Sequence, residues 1–141
     1  MQTKPILTLD NCKELLLANV ADSFYQNFTM SEDFIREFED IVNWYYISKF
    51  QKISEPFIRE FKDKLDLDII SASQTLSEDF IREFKDKLDW NRISIYQQLS
   101  EQFIREFQDK VDWETISSYN TLSEDFIREF KDKVNWKTIS F

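Results

Sequence analysis

Apolar and polar positions along this chain follow a pattern that restarts every 23 residues. In the copy spanning 76–98, Leu76, Phe80, Ile81, Phe84 and Leu88 are apolar, while Glu78, Arg82, Glu83, Lys85, Asp86 and Lys87 fill the positions between them. This spacing predicts one buried face of an amphipathic helix of about three turns. Ser77 precedes Glu78 and Asp79, an N-cap followed by acidic residues where the helix dipole favours them. Leu76 and Ile81 hold the two positions of a hydrophobic staple. A shorter stripe follows in Trp90, Ile93 and Tyr96, with Asp89 as its cap and Leu88 and Ile93 as a second staple pair. Each unit therefore predicts one longer and one short helix.

Copies begin at Met30, Ile53, Leu76, Leu99 and Leu122, and the fifth stops at Phe141. The first cap recurs as Ser31, Ser54, Ser77, Ser100 and Ser123, and the second as Asn43, Asp66, Asp89, Asp112 and Asn135. At about 1 kcal/mol per cap, these residues set helix boundaries firmly. Pro56 falls at N2, in the first turn, where a missing N–H costs little. One short helix pair has no way to bury two apolar faces by itself, but stacked pairs do, so the predicted fold is all-α, an α-solenoid of stacked helix pairs. Residues 1–29 read as a degenerate N-terminal capping repeat. There Asp10 is expected to cap a helix through Leu15, Leu16, Leu17 and Val20, and Asp22 a short one with Phe24, Tyr25 and Phe28. Residues 30–141 read as five tandem repeats, the last truncated, with an apolar edge left open at that end.

Glycine is absent and proline occurs twice, so few positions suit long flexible linkers. The net charge is -9. By segment it is -1 for residues 1–29 and -2, -2, -1, -3 and 0 for the five copies. No segment is positive, which argues against a phosphate backbone or an anionic membrane surface as partner. No apolar run approaches the roughly 20 residues of a membrane span, and the N-terminus lacks the apolar run of a signal peptide. The single cysteine, Cys12, and the lack of histidine argue against a disulfide framework or a Cys/His zinc site. The expectation is a soluble, cytoplasmic protein with no cofactor and no metal.

Three recurring sets invite a chemical reading. Arg36, Arg59, Arg82, Arg105 and Arg128 could present guanidinium forks to an acidic partner, but helix pairs such as Arg82 with Glu78 and Asp86, or pairing between stacked repeats, explain them more simply. The carboxylates recur in every unit on polar faces, whereas a catalytic pair should appear once. Trp44, Trp90, Trp113 and Trp136 could stack on bases or sugars, but their register with Ile47, Ile93, Ile116 and Ile139 favours packing, and Leu67 replaces Trp in the second copy.

The copies differ mainly in the second helix. After the Trp position stand Tyr45-Tyr46, Asp68-Ile69, Asn91-Arg92, Glu114-Thr115 and Lys137-Thr138. After a recurring Ser stand Lys49-Phe50, Ala72-Ser73, Ile95-Tyr96 and Ser118-Tyr119. A constant frame with a variable ribbon is how repeat proteins build partner-specific surfaces. The candidate partner-binding residues are thus Tyr45, Tyr46, Lys49, Asp68, Ile69, Ala72, Asn91, Arg92, Ile95, Glu114, Thr115, Ser118, Lys137 and Thr138.

The string Ser-Glu-Asp-Phe-Ile-Arg-Glu-Phe-Lys-Asp-Lys-Val/Leu-Asp-Trp-x-x-Ile-Ser resembles a 23-residue repeat of proteins from giant viruses of amoebae, the mimivirus relatives, over residues 30–141. The resemblance implies a tandem helical-repeat protein of unassigned function acting in the host-cell cytoplasm, and it carries no catalytic or ligand residue. The sequence expectation is a non-enzymatic scaffold that binds another protein through its second helices. The alternatives are a protein that self-assembles through its uncapped C-terminal repeat, and, against the charge, a reader of nucleic-acid bases.

Overall fold

Helix boundaries follow the caps. The computed structural model describes Leu16 and residues 22–139, and every regular element among them is a helix. In chain order these are α1 (Asp22–Asn27), α2 (Glu32–Glu37), α3 (Trp44–Phe50), α4 (Glu55–Glu60) and α5 (Leu67–Ser73). They continue with α6 (Glu78–Glu83), α7 (Trp90–Tyr96), α8 (Glu101–Glu106), α9 (Trp113–Tyr119) and α10 (Glu124–Glu129). Each serine cap accepts from the amide three residues on, as Ser77 does from Phe80 at 3.1 Å. Asn43, Asp89 and Asp112 each accept from two amides of the helix they open.

The first helix of each unit is shorter than the apolar stripe predicts. It ends after six residues, with Phe38, Phe61, Phe84, Phe107 and Phe130 as C-caps at φ near -110° and ψ near 20–30°. The chain then closes a tighter turn, with the Lys110 and Val111 amides both donating to the Phe107 carbonyl at 2.9 and 3.1 Å. Continuing the helix would require the Asp112 amide to donate to the Gln108 carbonyl. Both groups are already engaged by side chains. The Gln108 carbonyl accepts from Trp113 Nε1–H at 2.8 Å, and the Asp112 amide donates to Ser94 Oγ of the preceding repeat at 3.0 Å. These two bonds hold the turn that leads into the next helix, and the chain makes that turn without any residue at positive φ among those described.

Two other expectations change. The helix near the start begins at Asp22 itself, so Asp22 is not its preceding cap, and Phe28 lies just beyond the helix end. The helix expected from Asp10 lies outside the described residues except for Leu16, which is helical and buried. After Asn135 the chain forms a single turn over 136–138, and the described residues stop at Ile139.

The chain divides into two compact units, Met1–Gln74 and Thr75–Phe141. In the first, α1 packs on α3 and α3 on α5; in the second, α7 packs on α9. Second helices therefore stack on second helices, and α1 takes that place in the worn first unit. Ile47 and Ile70 in the first of these units, and Ile93 and Ile116 in the second, are completely buried, as are Phe57, and Phe80, Phe103 and Phe126, from the first helices. Ser48, Ser71, Ser94 and Ser117 are buried beside those isoleucines. This is an all-helical repeat fold. No helix among the described residues is long and apolar enough to cross a membrane.

Ser94→Ala removes a bond to the Trp90 carbonyl and leaves the Asp112 amide without its acceptor. A loss of about 1–3 kcal/mol in urea unfolding is expected, and an unchanged midpoint would show that the hydroxyl does not hold the stack.

Candidate functional site

The expected partner-binding residues lie on second helices, around the buried Ile-Ser pair, except Lys137 and Thr138, which lie in the single turn after Asn135. In the first unit, Tyr45, Lys49 and Asp68 are exposed, and Tyr46, Ile69 and Ala72 are half-buried. Tyr46 packs against Tyr25, Tyr45 and Phe50, so its ring belongs partly to the frame. In the second unit, Asn91, Ile95, Glu114, Ser118 and Lys137 are exposed, and Arg92, Thr115 and Thr138 are half-buried. Arg92 reaches its own helix cap, Asp89, at 3.3 Å. Within the second unit the neighbours Ile95, Tyr96 and Tyr119 are 43%, 61% and 74% exposed.

The frame beneath uses the recurring charged and aromatic residues. Arg36 binds Glu60 of the next repeat at 2.8 Å, Arg82 binds Glu106 at 2.9 Å, and Arg105 binds Glu129 at 2.9 Å. The same guanidinium groups lie 5.1 Å from Phe57, Phe103 and Phe126. Asp86, expected to pair with Arg82, instead meets Lys110 of the next repeat at 3.6 Å. Trp44, Trp90 and Trp113 each lie against two phenylalanines of the following repeat, at 4.9–5.0 Å from the nearer ring. Arg128 and Trp136, in the last repeat, are exposed and line a cleft of about 320 Å³ with Glu124 and Ile127.

Electrostatics follow this pairing. Hydrogen bonds from Arg36 hold the Glu60 carboxyl below the usual carboxylate range and raise Arg36 in turn, and Glu106 raises Arg82 likewise. Burial pushes the Tyr25 phenol up, against the bond that it accepts from the Asn43 amide.

Sequence reasoning missed a set of buried glutamines. Gln51, Gln74 and Gln97 follow the second helices and are buried; each bonds the first residue of its own copy, and Gln51 and Gln74 also reach the preceding one. Their carboxamide oxygens accept from the amides of Met30, Ile53 and Leu76 at 2.8, 3.2 and 3.0 Å. The Gln51 nitrogen donates to the Tyr25 and Phe28 carbonyls at 2.7 and 2.8 Å, and the Gln74 nitrogen to the Gln51 carbonyl at 2.7 Å. The 23-residue recurrence of glutamine was the available signal. It breaks at the next place, Asn120, which is one methylene shorter. There a cleft of about 540 Å³ opens, lined by Ser94, Gln97, Leu99, Asn120 and the two tyrosines Tyr96 and Tyr119 among others.

Comparison with protein-family models, curated proteins and solved structures finds no match.

Asn120→Gln should restore the missing carboxamide bonds and stabilise the protein by about 1 kcal/mol; a lower urea midpoint would show that the cleft does not accept the longer side chain. Because the Glu60 carboxyl is depressed on folding, its contribution is present above the unfolded carboxylate value and is lost as pH falls through the folded one. The melting temperature should therefore fall more on acidification in the wild type than in Glu60→Gln, and parallel pH profiles would contradict this.

Proposed function

We propose that the protein is a non-enzymatic helical-repeat scaffold that binds another protein through the variable face of its second helices. One observation carries this reading. Of the five large apolar side chains exposed among the described residues, four (Tyr45, Ile95, Tyr96 and Tyr119) stand at variable second-helix positions. Exposed tyrosines beside changing polar residues have the composition of a protein-binding surface, where aromatic anchors supply most of the energy. The buried Ile-Ser pair keeps the backbone of that face constant while its outer side chains change. The resemblance to repeats of giant viruses makes amoebal host lysate the place to look for the partner.

Replacing Asn91, Arg92 and Ile95 by their fourth-copy counterparts (N91E/R92T/I95S) should keep the fold, read by circular dichroism, and abolish or redirect partner capture. Unchanged affinity for a captured partner would remove this face from the reading.

A second reading is favoured by the exposure of Trp136, at 56%, and Arg128 on the last repeat. Arg36, Arg82 and Arg105, and Trp44, Trp90 and Trp113, pair with Glu and Phe residues of the following repeat, so Arg128 and Trp136 have the chemistry to bind one more repeat, here taken from a second copy. Concentration-dependent association in sedimentation, weakened by Trp136→Ala, would support it, and a monomer at every concentration would dismiss it.

A further inference from the structure

The cleft beside Asn120 repeats, with one change, a socket that the chain fills elsewhere with its own side chains. At Gln51 and Gln74 the socket consists of an amide that donates to the carboxamide oxygen and carbonyls that accept from its nitrogen. Ser48 and Gln51 supply carbonyls to Gln74, and Ile53 supplies the amide. The residues at the same offsets before Asn120 are Ser94, Gln97 and Leu99, and all three line the cleft. Asn120 does not reach them. Among the described residues no acceptor is bonded to the Leu99 amide, although Leu99 is only 9% exposed. An amide that opens on a cleft without a protein acceptor favours a ligand that carries one.

We propose that this cleft is a recognition site for a primary carboxamide from outside the chain, the side chain of a glutamine or asparagine on a bound peptide. The ligand's oxygen accepts from the Leu99 amide, and its nitrogen donates toward the Ser94 and Gln97 carbonyls, as the chain's own glutamines do. The pattern of one donor and paired acceptors reads both ends of a carboxamide. A carboxylate lacks the donor end, and it also meets Glu78, which lines the same cleft with its own carboxylate on the Ser100 amide at 2.6 Å. The exposed rings of Tyr96 and Tyr119 line the cleft and offer apolar surface to the ligand's methylenes. The inference rests on the second-helix reading for the peptide that carries the group, and it names what that peptide presents.

The test uses the full chain, labelled with nitrogen-15, titrated with N-acetyl-glutamine methylamide. A saturable shift of the Leu99 amide is expected, with no comparable shift from the glutamate or norleucine analogues. Asn120→Gln fills the socket from within and should abolish the Leu99 response while keeping a dispersed spectrum. Asn120→Leu fills the same volume without the bonds and should abolish it too, which covers a failure of the first variant to fold. Absence of a Leu99 shift, equal response to norleucine, or binding retained in a folded Asn120→Gln protein would overturn the proposal. Partner capture that survives such a failure would leave the second-helix surface standing without the carboxamide site. A carboxamide response without any capture would do the reverse.

Discussion

In three of the repeats the amide that opens the second helix is held by a serine of the neighbouring repeat and not by a carbonyl of its own preceding turn. The Asp66, Asp112 and Asn135 amides donate to serine hydroxyls 18 residues earlier, at 2.9–3.0 Å, and do not continue the helix that precedes them. The same serine donates to a carbonyl in its own helix, as Ser48, Ser94 and Ser117 do at 2.6–2.8 Å. One buried hydroxyl thus holds the residue that opens a helix and joins two repeats. A chain without glycine needs such a device, since the left-handed conformations that commonly end helices are costly for its residues.

Two kinds of bond tie the repeats together, and their magnitudes differ. The Arg–Glu pairs are exposed, and pairs of that kind contribute about 0–1 kcal/mol each. The serine and glutamine bonds are buried, and breaking one leaves an unmet amide or carbonyl that costs about 1–3 kcal/mol. The uncharged clasps therefore dominate cohesion. The charged pairs, stacked on phenylalanine, set register between neighbours. This division leaves the outer side of the second helices free to vary, because none of its variable residues is needed for the clasps except Ser73, whose hydroxyl donates to the Ser48 carbonyl at 2.6 Å.

The all-helical repeat fold and its caps were legible in the sequence because capping and apolar spacing act locally. The place of Trp90 and Trp113 was legible as packing for the same reason. The length of the first helix was not, since the apolar stripe runs on through the tighter turn that follows the Phe107 cap, and the Asp112 amide beyond it is held by a serine in another repeat. Nor was the cleft. An apolar pattern registers what is buried by its hydrophobicity, and Gln51, Gln74 and Gln97 are buried for their hydrogen bonds. Only the missing methylene at Asn120, set against the other three positions, marks the site.

The bonds between repeats span fixed intervals in sequence, from the 18 residues between Ser94 and Asp112 to the 26 between Ser48 and Gln74, and each joins one copy to the next. A recombination event that removes or adds 23 residues in frame therefore rejoins a serine to a cap amide and a tryptophan to a phenylalanine pair, wherever in the array the crossover falls. An insertion whose length is not a multiple of 23 shifts this register at the junction. The gene for such a protein can gain or lose binding surface in whole repeats while leaving the rest of the fold untouched, so that recombination among near-identical copies becomes a source of new specificity.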